Sequence, residues 1–134
     1  MKLSNIKPNI VVVGSSSIDL VLNTSKIPTA NNTVLAESLK SFLGGKGANQ
    51  AIATSRLGAQ TYFISRVGMD PFGQQVLRNL NDEAVNIAYV VEDEDEDTGT
   101  AYVTASEEGN AITVVPAANY NLSPTDISEA EKYL

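Results

Sequence analysis

A chain of 134 residues, 43% apolar and 19% charged, is long enough to bury one hydrophobic core and reads as a single globular domain. The absence of Cys and His excludes disulfides, thiolate metal sites and an imidazole base, which leaves any chemistry to Asp, Glu, Lys, Ser and the backbone. The net charge of −7 is local: the run Glu92-Asp93-Glu94-Asp95-Glu96-Asp97 holds six carboxylates, and the rest of the chain is close to neutral, with no basic stripe to meet nucleic-acid phosphates.

No apolar run approaches the length of a membrane span, and Met1-Lys2-Leu3-Ser4-Asn5-Ile6-Lys7-Pro8 holds no hydrophobic leader stretch. The expectation is a soluble, cytoplasmic protein with neither a membrane nor a nucleic acid among its partners. Asn9-Ile10-Val11-Val12-Val13-Gly14 is a β-branched run ended by Gly, which predicts a strand buried on both faces of a mostly parallel sheet. Ser15-Ser16-Ser17-Ile18-Asp19 reads as the turn after it. In open α/β sheets ligands bind beyond the carboxyl ends of the strands, so Asp19 is a candidate ligand contact, with a turn-capping Asp as the equal alternative. Residues 20–23 and 33–42 read as half-exposed extended segments joined by the turn-rich 27–32, a small flap outside the main sheet.

The run Gly44-Gly45-Lys46-Gly47-Ala48-Asn49-Gln50 gathers backbone donors, a cation and an amide at one helix start. Lys46 adds three donors and Asn49 two donors and an acceptor, which suits sugar hydroxyls at least as well as a phosphate. It is not a Walker loop, because the Gly-to-Gly-Lys spacing differs and no Ser or Thr follows the Lys. The helix after it is expected to close at Gly58 and to bury the small face Ala48, Ala51, Ile52 and Ser55.

Residues 61–67 read as the next strand. Asp70 and Pro71 open a helix whose Phe72, Val76 and Leu80 face the sheet. Residues 85–91 read as a strand, followed by the acidic run 92–97 as a solvated loop without a ligand. Residues 98–106 and 111–115 flank Glu107-Glu108-Gly109-Asn110 as a hairpin with Gly-Asn in the turn. Ser123-Pro124-Thr125-Asp126 carries the capping box of a last helix. The βα alternation predicts the α/β class.

Taken together, Gly14-Ser15 with Asp19, the Gly44 to Ala51 run, Arg56-Leu57-Gly58-Ala59, Val67-Gly68 with Asp70 and Phe72-Gly73, Thr98-Gly99 and Ala118-Asn119 resemble the N-terminal part of the ribokinase-type carbohydrate kinase family over nearly the whole chain. The resemblance implies a three-layer α/β/α fold with a mostly parallel sheet and a small β-sheet lid, formed by segments at about 20–42 and 98–115. It implies ATP-dependent phosphorylation of a sugar's primary hydroxyl, with ribose as the expected sugar, and a homodimer joined through the lid strands. Carried over, Ser17, Asp19, Gly44, Gly45, Lys46 and Asn49 would form the sugar site. The family usually places Asn where Ser17 stands.

The family's Gly-Ala-Gly-Asp run, with its catalytic base and anion hole, and the ATP, magnesium and potassium sites that the family implies lie in a C-terminal half with no counterpart in these 134 residues. The expectation is therefore a truncated, sugar-binding portion, inactive alone, holding no cofactor of its own and no catalytic or metal-ligating residue. A dinucleotide-binding domain is disfavoured because Gly14-Ser15-Ser16-Ser17 lacks the three-glycine fingerprint. A non-catalytic module that binds sugar or dimerises through its lid strands is the other alternative.

Overall fold

The computed structural model describes residues 7–132 and 134; the leader reading of residues 1–6 lies outside the described residues. In chain order the elements are β1 (Asn9–Val13), β2 (Ser17–Thr24), β3 (Ala36–Gly44), α1 (Lys46–Arg56), β4 (Gln60–Gly68), α2 (Pro71–Asp82), β5 (Val90–Asp93), β6 (Thr100–Ser106), β7 (Gly109–Val115), a 3-10 turn (Ala117–Asn121) and α3 (Pro124–Glu131). They make two sheets. One is parallel, in the order β1-β4-β5; the other runs β3-β2-β6-β7, with β2–β3 and β6–β7 antiparallel and β2–β6 parallel.

In the parallel sheet Val12 lies beside Phe63, and the period of two sends both to the face that α1 and α2 cover. Ala48 and Ala51 of α1 and Val76 and Leu80 of α2 are fully buried there with Phe63 and Val67. Each large side chain so buried contributes about 1.5–3 kcal/mol. The small residues of α1 let its axis come close to the strands, as their spacing predicts. Gly58, at φ +93, closes the helix by donating to Ser55 O.

The other face is covered over β4 by the 3-10 turn and α3, which completes the α/β/α layering. Here the expectation of a first strand buried on both faces is corrected: Val11 and Val13 stay 43% and 45% exposed, because no described element lies over β1 on that side.

The half-exposed segments of the sequence all fall in the second sheet, with two shifts. Ser17 to Asp19 are strand, not turn, and β3 runs on to Gly44, whose partner across the ladder is Ser17. The hairpin turn is Glu107-Glu108; Gly109 and Asn110 already pair with Ser106 and Ala105.

The strand expected at 85–91 is Val90–Asp93 instead. Ala84 takes φ 57, and the Asn86 side chain accepts from Ala88 N at 3.0 Å, so a local side-chain turn displaces the β-branched preference of this stretch.

The acidic run is not uniformly solvated, which corrects the loop expectation at Asp93. That residue ends β5 at 3% exposure, beside Gly68, and its carboxylate accepts from Arg66 Nε at 2.7 Å, Asn121 Nδ2 at 2.9 Å, and the backbone of Asp95 and Glu96. Arg66 also reaches Asp126, the residue whose carboxylate accepts from Ser123 N in the capping box of α3. The Asn121 amide and the Arg66 guanidinium, with the two backbone donors, hold the Asp93 carboxyl far below the usual range. Glu94, Asp95, Glu96 and Asp97 remain exposed.

Candidate functional site

The site grows from the corner between β1 and β2. Gly14 N donates to Ile64 O at 3.1 Å as the chain leaves the parallel sheet, and Ser15 O then accepts from Ala48 N at 3.0 Å. This bond sets the corner against the first turn of α1. The approach is so close that a Cβ on Gly47 would lie 2.7 Å from the Gly14 carbonyl carbon. Gly45, the N-cap, stands at φ +93 and ψ 130, a conformation that L side chains rarely take, and no side chain caps the helix. The start of α1 therefore presents its backbone donors and positive end to whatever occupies the space in front.

Asp19 enters from β2. Its carboxylate folds back over Gly44, where any Cβ would run into its oxygens, and Ser17 Oγ donates to Oδ1 at 2.9 Å. The short hydroxyl is thus committed to aiming the carboxylate. Oδ2 has no protein partner among the described residues.

These groups converge on one cavity of about 620 Å³. Ser15, Ser17, Asp19, Gly45, Lys46 and Asn49 form its polar side. Gly44 is not a wall of it and acts from beneath Asp19. Opposite stand Ala101 and Val103 of β6 and Ile112 and Val114 of β7, brought level by the register Ala101–Val114 and Val103–Ile112. Donors and acceptors on one side and aliphatic carbon on the other suit a ligand with a hydroxylated edge and a C–H face.

Two other cavities differ in kind. The one between α1 and α2, about 430 Å³, holds the surface ion pair in which Arg56 Nε donates to Glu83 Oε2 at 2.8 Å. The one at the start of α2 contains Asp70, whose oxygens are already taken by Gly73 N, Thr98 Oγ1 and Thr98 N at 2.6–2.8 Å. Burial alone would raise the Asp70 pKa, but the Thr98 and Gly73 hydrogen bonds outweigh it and hold it below the ordinary value. Both cavities are built around groups that satisfy one another.

The sequence led to five of the cavity's polar residues. It missed the aliphatic wall, Ser15, and the far end made by Asn119 and Tyr120. Asn119 had a signal, since it stands in one of the recurring motifs, yet its contact with the corner spans 103 positions and no local pattern announces it.

A parallel α/β/α core whose strand-to-helix corner faces a second sheet defines a sugar kinase of the ribokinase fold. The chain belongs to the pfkB family of carbohydrate kinases, whose pattern matches residues 7–134. It is 43% identical over 116 residues to ribokinase of Bacillus subtilis (strain 168), covering 87% of this chain and 40% of that protein. It is 36% identical over 128 residues to deoxyribokinase of Salmonella typhi, covering 94% and 42%. The structure of Arabidopsis thaliana ribokinase complexed with ribose and ATP matches with a TM-score of 0.77 at 36% identity, covering 85% of this chain and 38% of that one. The chain thus spans about 40% of the length of the curated relatives it matches.

Among the described residues no helix is long and apolar enough to cross a membrane.

Proposed function

We propose that this chain is the sugar-binding portion of a carbohydrate kinase that phosphorylates ribose at its primary hydroxyl with ATP, and that Ser17, Asp19, Gly44, Gly45, Lys46 and Asn49 make the sugar site. The observation that carries the reading is the two-sided cavity: Asp19 Oδ2 is open to accept from hydroxyls, Lys46 and Asn49 bring donors, and the β6–β7 wall offers carbon for the ring face. The ribokinases among its relatives, one solved with ribose and ATP, support ribose as the ligand.

Ser17 favours keeping a second sugar in view. Its hydroxyl proton is spent on Asp19, so the pocket has one donor fewer for the ligand than an amide at that place would supply. A relative is a deoxyribokinase, and 2-deoxyribose, which has one hydroxyl fewer, is the natural competitor.

Phosphoryl transfer depends on placing a donor phosphate in line with the acceptor and stabilising its charge. Asp19 and Lys46 are the cavity's carboxylate and ammonium, and this pair does not fit magnesium, which takes near-octahedral oxygen ligands, or potassium. No step is assigned here to either ion or to ATP. The chain alone is expected to bind sugar without turning it over, and to pair with a second copy through the β3-β2-β6-β7 sheet.

Calorimetric titration with ribose and 2-deoxyribose, beside an ADP-release assay with ATP, tests the reading. Saturable binding of either pentose without ADP release is the expected result. Binding of neither sugar rejects the sugar site, and ADP release from the purified chain rejects its dependence on further catalytic groups.

A further inference from the structure

We infer that Asn119 is a positioning residue for the sugar site: its amide grips both backbone groups of Ser16 and fixes the corner from which Ser15, Ser17 and Asp19 face the cavity. The inference rests on the sugar-binding reading above. Ser16 N donates to Asn119 Oδ1 at 3.0 Å, and Asn119 Nδ2 donates to Ser16 O at 2.8 Å, so one planar side chain closes a ring with a single residue. Ser16 is fully buried, and its hydroxyl meets the Ser65 hydroxyl of β4 at 3.1 Å. It is therefore held by the sheet through its side chain and by Asn119 through its backbone.

The surroundings are shaped for this grip. Gly99 passes between the two partners, where a Cβ would run into Asn119 Nδ2, and Gly99 O accepts from Ile18 N at 3.0 Å on the same corner. Asn119 is anchored in turn by its own N–H to Pro116 O at 3.0 Å, and its neighbour Ala118 donates to Asp97 O at 2.9 Å. The recurring pairs Thr98-Gly99 and Ala118-Asn119 thus gain a physical role. Asn119 also follows β7, so the turn that begins at the aliphatic wall ends by holding the polar floor.

An amide is the side chain this place requires. It offers an acceptor and a donor in one plane; Ala leaves a buried N–H and C=O unpaired, and Asp loses the donor and sets a charge against the Ser16 carbonyl. With Asn119 gone, the corner keeps its bonds to Ala48 and Ser65, so the fold persists. What is lost is the fixed placement of Ser17 and Asp19 against Lys46 and Asn49.

The experiment compares the 134-residue chain with Asn119→Ala and with Asn121→Ala, which removes a hydrogen bond to Asp93 from the same 3-10 turn without touching Ser16. Ribose affinity and amide hydrogen exchange are read on each. Asn119→Ala is expected to weaken ribose about tenfold, the effect of losing two net hydrogen bonds, while Asn121→Ala leaves affinity unchanged. Equal affinity in Asn119→Ala and the parent, or equal weakening in Asn121→Ala, overturns the inference. If the parent binds no ribose, the sugar reading has failed and exchange alone decides the role of Asn119 at the corner. Roughly tenfold faster exchange at Ser16 and Ser17, with Phe63 and Ile64 of β4 unchanged, supports it. Unchanged exchange at Ser16, or a uniform rise across the chain, overturns it. Asn119→Asp, which keeps the acceptor for Ser16 N–H, takes the place of the alanine variant if that one does not fold, with the same expectations.

Discussion

Asp19 shows how much of the site depends on single groups. Ser17 Oγ fixes one of its oxygens, Gly44 leaves room for the carboxylate, and the other oxygen faces the cavity. Asp19→Asn keeps an oxygen for Ser17 and nearly the same shape, so it isolates the charge. Hydrogen bonds to a charged group are worth about 1.5–3 kcal/mol, and ribose affinity should fall roughly ten- to a hundredfold with little change in melting temperature. Undiminished affinity on titration removes Asp19 from the site. Sequence position pointed to Asp19 because it follows a strand end, but it could not separate a turn residue from a ligand contact. The distinction came from pairing: Asp19 lies opposite Phe42 and beside Ala101, inside a sheet whose partner strands are distant in sequence.

At the scale of elements, the acidic stretch divides into an inner and an outer part. Asp93 ties β4, β5, the 3-10 turn and, through Arg66, α3, whereas residues 94–97 face solvent. Replacing the outer four by Ser and Asn should move the melting temperature by no more than about 2 °C, as surface changes do, while Asp93→Asn should lower it by roughly 5 °C or more. Equal effects from the two variants would dissolve the division. The same carboxylates set an acid limit. Asp70 and Asp93 have folded values below their unfolded value of 3.8, so between folded and unfolded values the unfolded chain binds more protons. Their stabilisation is complete above about pH 4 and is lost as the pH falls through the folded values, and with no His the curve should be flat from 5 to 8. Urea midpoints measured from pH 2 to 8 check this, and a drop beginning near pH 6 would assign the slope to other groups. Elements with local signals were legible: the Asp70 cap, the Ser123–Asp126 box and the Gly58 stop. The displaced β5 and the buried Asp93 were not, because an Asx turn and a guanidinium from another strand decided them.

The whole molecule exposes a face that its own chain does not cover. Phe42, Val114 and Ile112 are 52%, 60% and 61% exposed, and the ladder places Phe42, Asp19, Ala101 and Val114 in one row across the second sheet, next to the row of Lys40, Val21, Val103 and Ile112. β3 and β7 are its free edges, and β7 is exposed along its full length. An apolar sheet face with open edges favours pairing with another strand system, and a second copy supplies an identical one; Lys40 alone opposes it within these rows. The chain should therefore sediment as a dimer at high concentration and dissociate on dilution. Phe42 lies on this face but outside the cavity's walls, so Phe42→Lys should shift the equilibrium to monomer at least tenfold without altering the floor of the site, the cost of bringing an unpaired charge into an apolar contact. Sedimentation of a strict monomer at high concentration rejects the pairing. A Phe42→Lys dimer of unchanged strength moves the contact to another surface.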